Sequence, residues 1–261
     1  MRRAAVAVMC LALLACSPAG SANGEGAEVE TGNATWQYQL QGRVDTATDA
    51  GTFDVDLFDT PASTVAELHA ARRTVICYVN AGAVEDWRPD AAAVPAELRG
   101  RELDDWRGEH WVDVRRLDVL EPFLAARFDL CRQKGFDGVE ADNVDGYTQD
   151  TGFPLSADDQ LAFNRMVARL AHERDLTVGL KNDLGQVEDL VEDFDFAVNE
   201  QCAQYRECDA LDPFVARGKP VYHVEYELPV ADFCPSPPGF RSIRKPITLP
   251  AQVQACPRRD T

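Results

Sequence analysis

The sequence predicts an α/β fold, a single (β/α)8 barrel of parallel strands wrapped by helices. Three observations carry that expectation. Short apolar runs rich in Val, Ile, Phe and Tyr alternate with helix-like segments, the order of parallel pairing with helices outside the sheet. Eight such runs can be counted, enough to close a barrel, and no Gly-x-Gly-x-x-Gly follows any of them as in an open doubly wound sheet. Three of the runs end on acids: Gly138-Val139-Glu140-Ala141-Asp142, Phe196-Ala197-Val198-Asn199-Glu200 and Val221-Tyr222-His223-Val224-Glu225. A buried strand has no packing reason to end in a carboxylate, whereas barrel enzymes keep their chemistry at the carboxyl ends of their strands.

In chain order the expected strands are residues 35–40, 53–58, 74–80, 110–114, 136–142, 176–182, 194–199 and 220–226, most of them bounded by polar residues or glycine. Helices are expected at 63–72, with Val65, Leu68 and Ala71 on one face, and at 117–134, where Leu120, Phe123, Leu124, Phe128 and Cys131 recur at helical spacing. Ser156-x-x-Asp159 is a capping-box variant ahead of a helix at 161–174. A short helix fits 186–192, and another at 209–217 stops at Gly218. Residues 81–108 read as a long loop, and nothing after Tyr226 reads as a full eighth helix. The barrel is therefore assigned to 35–228, followed by an irregular, Pro-rich extension at 229–261.

The N-terminus precedes the fold. Arg2-Arg3 and the short apolar stretch that follows suit a signal segment at 1–15, too short to span a bilayer. Leu13-Leu14-Ala15-Cys16 resembles a bacterial lipobox, which implies cleavage before Cys16 and lipid on that residue; cleavage near Ala19 or Ala22 is the alternative. Residues 16–34, small, polar and acidic, suit a tether. The expected location is outside the cytoplasm, with membrane contact only through the lipid.

Beyond Cys10 and Cys16 six cysteines remain, and an even number in an exported chain suggests three disulfides, although six cysteines allow 15 pairings. Cys202 with Cys208 would clamp one loop and Cys234 with Cys256 would tie down the extension, which leaves Cys77 with Cys131. No Cys-x-x-Cys and no paired histidines argue for a metal, and no cofactor is expected. The formal net charge of −18 disfavours nucleic acid and anionic polysaccharides as partners and favours a neutral or cationic one.

Strand alternation limits which acids point inward. Glu140 and Asp142 share a face, Asp142 nearer the rim, with Asn143 and Asp145 in the loop beyond. Glu200 closes the seventh expected strand, so the two carboxylates can face each other across the mouth, as glycoside hydrolysis requires. By the same rule Asp54 and Asp56, Asp113 and Arg115, Lys181 and Asn182, and Glu225 are rim candidates. Tyr78, Trp87, Trp106, Trp111, Tyr147 and Tyr226 fall in or beside these loops, where rings can stack on sugars or simply fill the core. Glu85-x-Trp87-Arg88-Pro89-Asp90 is too polar for a core and reads as a binding lid. No Gly-x-Ser-x-Gly elbow and no phosphate loop compete with this reading.

These segments resemble a known family. Asp54-Val55-Asp56-Leu57-Phe58-Asp59, Ala81-Gly82-Ala83-Val84-Glu85-Asp86-Trp87-Arg88, Lys134-Gly135-Phe136-Asp137-Gly138-Val139-Glu140, Gly179-Leu180-Lys181-Asn182 and Asn199-Glu200-Gln201-Cys202 are similar to the family 114 glycoside hydrolases, endo-α-1,4-polygalactosaminidases. The resemblance implies a TIM barrel, a catalytic pair at Asp142 and Glu200, and polymers of α-1,4-linked galactosamine as substrate. Ala141 stands where that family more often has Pro. An exported endo-glycosidase follows, acting as a monomer on an amino-sugar polysaccharide. Asp142 would be its nucleophile and Glu200 its acid/base, with Asp54, Asp56, Glu140 and Glu225 binding hydroxyls or the amine and Lys181 tuning an acid. The alternatives are a non-catalytic carbohydrate-binding lipoprotein and a hydrolase of a different glycan.

Overall fold

The computed structural model describes residues 35–257. The expected signal segment 1–15, the expected lipidation of Cys16 and the expected tether to residue 34 lie outside the described residues. The strands are β1 (Trp36–Gln39), β2 (Thr52–Asp56), β3 (Thr74–Asn80), β4 (Ala83–Glu85), β5 (Arg99–Leu103), β6 (Trp106–Val112), β7 (Gly138–Asp142), β8 (Thr177–Lys181), β9 (Phe196–Glu200), β10 (Val221–Glu225), β11 (Phe240–Arg244) and β12 (Gln254–Ala255). The helices are α1 (Ala62–Ala70), α2 (Leu117–Lys134), α3 (Ala157–His172), α4 (Val187–Leu190), α5 (Cys202–Tyr205), α6 (Asp212–Ala216) and α7 (Val230–Phe233).

One sheet runs β1-β2-β3-β7-β8-β9-β10-β11, every neighbour parallel, with β12 added antiparallel at its end. It curls until its ends almost meet. Lys245 Nζ, just past β11, donates to Gln37 Oε1 on β1 at 2.7 Å, and the Leu40 amide donates to the Leu249 carbonyl at 3.1 Å. The result is a nearly closed (β/α)8 barrel.

Two expectations about its strands need correction. Residues 110–114 do not enter the barrel: β6 pairs antiparallel with β4 and β5 in a separate three-stranded sheet. Residues 81–108 therefore carry β4, β5 and the start of β6 of this sheet and are not one long loop, because close antiparallel partners satisfy the backbone locally without a crossover. The eighth barrel strand is β11, inside the segment read as irregular. Arg241 and Arg244 interrupt its apolar pattern, yet Ile243 is fully buried and Arg241 lies over the Tyr222 ring, 5.1 Å from its centroid. The barrel accordingly runs past residue 228. As expected, the extension lacks a full helix, α7 being four residues long, and the Cys234–Cys256 disulfide ties it down.

Local chemistry explains the other elements. Ser156 Oγ accepts from the Asp159 amide at 3.1 Å while Asp159 returns a carboxylate to the Ser156 amide at 2.9 Å, capping α3 as its motif requires. Gly135 ends α2 in the left-handed region, φ 91°, where a side chain would be strained. The outward strand residues Val55, Val75, Val79, Val139 and Val178 pack under Leu68, Leu124, Phe128, Phe163 and Val167 of the helices. Each such large side chain contributes about 1.5–3 kcal/mol by leaving water. The disulfides pair as expected: Cys77 with Cys131 fastens α2 to β3, and Cys202 with Cys208 closes the turn after β9.

The barrel interior is divided. Trp36, Ile76, Phe196, Val198, Tyr222, Val224 and Ile243 fill it with apolar contacts, including Trp36 against Tyr222 at 5.3 Å. Gly179 is required here, because a Cβ on it would enter the Phe196 ring. Nearer the carboxyl ends, Tyr38, Asp54, Glu140 and Lys181 replace the hydrocarbon with buried polar groups.

Candidate active site

Three neighbouring strands end in functional groups: β7 in Asp142, β8 in Lys181 and β9 in Glu200. Each is followed at once by a residue in the left-handed region, Asn143 (φ 60°), Asn182 (φ 50°) and Gln201 (φ 62°). Asparagine tolerates that conformation better than most residues, and the turn cuts each strand short with its last side chain at the rim. A second close approach fixes the β3 end. The Gly82 amide donates to the Asp142 carbonyl at 3.0 Å, and a Cβ on Gly82 would collide with the Asn143 backbone.

Lys181, almost fully buried, organises the site. Its Nζ lies 3.0 Å from Asp142 Oδ1, 3.1 Å from Glu140 Oε1 and 3.4 Å from Glu200 Oε2, and it donates to the Tyr38 hydroxyl at 3.2 Å. Burial opposes its charge, but Asp142, Glu140 and Glu200 outweigh burial and hold the ammonium well above its ordinary pKa. Burial would raise the Asp142 carboxyl; Lys181, the Tyr78 hydroxyl at 2.6 Å and the Asn143 amide at 2.8 Å together pull it below its ordinary value. Asp142 is therefore held ionised. Glu200 accepts from the Tyr226 hydroxyl and from Asn182 Nδ2 at 3.2 Å. Burial first, then the carboxylates beside them, raise Tyr38, Tyr78 and Tyr226, so these phenols stay neutral donors.

A cavity of about 620 Å3 opens above this cluster. Of the residues expected at the site, Asp56, Tyr78, Glu85, Trp87, Arg88, Asp142, Asn143, Asp145, Lys181, Asn182, Glu200 and Tyr226 line it. The expected lid is pinned in place. Arg88 binds Glu85 at 2.8 Å through Nε and reaches Asp56 and Asp59, while buried Arg127 of α2 holds Asp90 at 2.8 Å.

Six expected residues stand outside the wall. Asp54 and Glu140 point inward but sit a layer lower, fully buried beneath Lys181. Asp113 and Arg115 lie beyond β6, outside the barrel, and pair with each other at 2.7 Å. Tyr147 packs against Gly185 and Asp183 behind the rim. Glu225 faces outward, because Tyr222 and Val224 hold the inner face of β10 and alternation turns His223 and Glu225 toward the helices. There it accepts from the Ala203 amide at 2.9 Å and from His223 Nε2 at 2.8 Å, capping the start of α5. Cys202, Cys208 and His223 bring ligand-type atoms within 4.8 Å of one another, but the two sulfurs are already bonded.

Sequence reasoning missed Tyr38 and Glu109, which both line the cavity. Tyr38 was legible, since it alternates in step with Trp36 on β1. Glu109 was hidden because β6 was not read as part of the excursion that walls the cavity. Glu109 accepts from Asn80 Nδ2 at 2.9 Å, and burial, then Glu85 and Asp142, push its carboxyl up to about 7. Burial likewise raises Asp145. Trp87 and Trp106 remain 56% and 41% exposed at the mouth, open to a ligand. No helix among the described residues is long and apolar enough to cross a membrane.

The model of glycoside-hydrolase family GH114 matches residues 18–260. Among solved structures the chain is similar to Aspergillus fumigatus Ega3, solved in complex with galactosamine. The two are 37% identical over 86% of this chain and 95% of that one, with a TM-score of 0.82. It shares its fold with the glycoside hydrolase domain of PelA from Pseudomonas aeruginosa, 14% identical over 86% of this chain and 98% of that one, with a TM-score of 0.66. No curated protein matches the chain. A family match over nearly the whole length, joined to that similarity to Ega3, places the protein in glycoside-hydrolase family GH114, the endo-α-1,4-polygalactosaminidase-like enzymes its motifs resemble.

Proposed function

We propose that the protein cleaves internal α-1,4 linkages of a galactosamine-containing polysaccharide with retention of configuration, Asp142 acting as nucleophile and Glu200 as acid/base. The observation that carries this is the pair of carboxylates at the rim, both in contact with Lys181. Asp142 Oδ1 and Glu200 Oε2 stand no further apart than their 3.0 and 3.4 Å contacts to Lys181 laid end to end. That bound falls short of the roughly 6.5 Å at which inverting pairs begin, which favours the shorter spacing of a retaining pair. Asp142, kept ionised, attacks the anomeric carbon while Glu200 gives its proton to the departing glycosidic oxygen. Glu200 then takes a proton from the water that frees the sugar from Asp142.

A cationic amino sugar suits the cavity. The wall's cations are already engaged, Arg88 by Asp56, Asp59 and Glu85, Arg101 by Asp150, and Lys181 by the acids around it. Glu109 and Asp145 face the cavity as carboxylates able to receive an ammonium from the ligand. The galactosamine bound to Ega3 supports that chemistry. Trp87 and Trp106 extend the open mouth as platforms for sugar faces, as an endo-acting enzyme needs. The lipobox at Cys16 supports an exported enzyme held at the membrane by its lipid.

Incubation with partly deacetylated α-1,4-galactosamine polymer tests the reading. Mass spectrometry should find oligomers of intermediate length, and NMR of the earliest products should find the α-anomer. Binding without cleavage would return the carbohydrate-binding alternative, cleavage of another glycan only would overturn the substrate, and an initial β-anomer would overturn the nucleophile. For the anchor, Cys16→Ser should move the protein from the membrane fraction to the soluble one; equal partitioning of both forms would reject it.

A further inference from the structure

Beneath the catalytic layer lie two carboxyls that the mechanism does not use. Asp54 on β2 and Glu140 on β7 are both fully buried, and they meet side by side across the barrel. Three of their four oxygens, Asp54 Oδ1 and Oδ2 and Glu140 Oε2, receive no N–H or O–H from any described residue. The fourth, Glu140 Oε1, accepts from the Tyr38 hydroxyl at 2.9 Å and lies 3.1 Å from Lys181 Nζ. Two carboxylates in contact, shielded from water and without a donor between them, repel each other, and one proton turns that repulsion into a strong hydrogen bond. The charges around them agree. Lys181 already answers Glu140, Asp142 and Glu200, so an ionised Asp54 would be a further buried anion on one cation.

We propose that Asp54 and Glu140 hold one proton between them, neutral Asp54 donating to Glu140 Oε2, and that this bond fixes the carboxylate on which Lys181 rests beneath the catalytic pair. Asp54 is thereby a positioning residue. It orients Glu140, Glu140 and Tyr38 seat Lys181, and Lys181 holds Asp142 and Glu200 in register. Burial, followed by Glu140, raises the Asp54 carboxyl well above its ordinary range, in keeping with a retained proton.

Infrared spectroscopy of the full chain at neutral pH tests the proton directly. Glu109 and Asp183, with carboxyls at about 7 and about 8, also carry protons at neutral pH, so the C=O stretch of the shared proton should stand out in the difference spectrum of wild type minus Asp54→Asn. Asn keeps a donor for Glu140, so Asp54→Asn should retain kcat within about fivefold, whereas isosteric Asp54→Leu should lower kcat about 100-fold with KM little changed. The kinetic arm rests on the proposed hydrolase; the spectroscopic arm does not, so their failures can be told apart. Absence of a neutral-acid band from that difference spectrum, or an Asp54→Asn variant that folds but is inactive, would each overturn the proposal. If Asp54→Leu fails to fold, the Asp54→Asn spectrum and rate decide alone.

Discussion

Strands β9 and β10 lie side by side, run in parallel, and each ends an apolar run on a glutamate. In register, Val224 of β10 stands opposite Glu200 of β9. That offset of one residue separates their fates. Glu200 turns into the barrel, contacts Lys181 and lines the cavity; Glu225 turns out and caps α5 without touching the cavity wall. Inside, the rim leaves part of each carboxylate open to a ligand. Outside, the second layer of helices closes over the acid and its hydrogen bonds become structural. Two similar strand ends thus come to face the cavity on one side of the sheet and the helix layer on the other.

The largest test of that contrast is removal of charge at the inner acids. Glu200→Gln and Asp142→Asn should each lower kcat at least roughly 100-fold with unchanged circular dichroism, the low end for acid–base catalysis. A neighbouring, exposed acid supplies the control, and Asp59→Asn should cost far less. Loss of Glu225 should do the reverse. Glu225→Ala strands the Ala203 amide and His223, so thermal denaturation should reveal about 1–3 kcal/mol of lost stability, with kcat at permissive temperature within about threefold. Equal kinetic losses in Glu200→Gln and Glu225→Ala would break the comparison.

Glu109 sharpens it from the excursion wall. Its carboxyl titrates at about 7, so it is anionic above that pH and neutral below. KM for a cationic polymer should therefore rise as pH falls through 7, and Glu109→Gln should flatten that limb, raising KM about fivefold at pH 8, within reach of a partly exposed ion pair. The same shift has a stability sign. A pKa raised from 4.5 favours folding with Glu109 protonated, a contribution complete at low pH and lost as pH rises through about 7. The smallest effect belongs to Trp87. Trp87→Ala should raise KM about threefold, the lower end for one aromatic contact, and leave kcat alone. A collapse in kcat would mean that the wall positions the acids and does more than hold the polymer.

How much was legible follows from parity. Glu140, Asp142 and Lys181 could be assigned to the inner face from period-two alternation, because each sits in an uninterrupted apolar run. The same rule, carried through Tyr222, Val224 and Tyr226, would have sent Glu225 outward; its acid at a strand end obscured that. Asp113 and Arg115 misled differently, since local periodicity does not distinguish a barrel strand from the antiparallel β6. β11 was obscured by arginines whose long stems cover apolar surface while their charged heads reach partners.

The sequence by itself determined the alternation of strands and helices, the helix caps and stops, the cysteine set and the acids at the ends of β7 and β9. These depend on periodicity, turn chemistry and composition, which act over a few residues. Tertiary structure alone decided which strand closes the barrel, that the excursion supplies Glu109 to the wall, and that Lys181 meets Glu140, Asp142 and Glu200 at once. It also decided that Asp54 and Glu140 face each other with no donor between them. Such arrangements join side chains from strands far apart in the chain, and their ionisation depends on burial and neighbouring charge, which exist only once the barrel has folded.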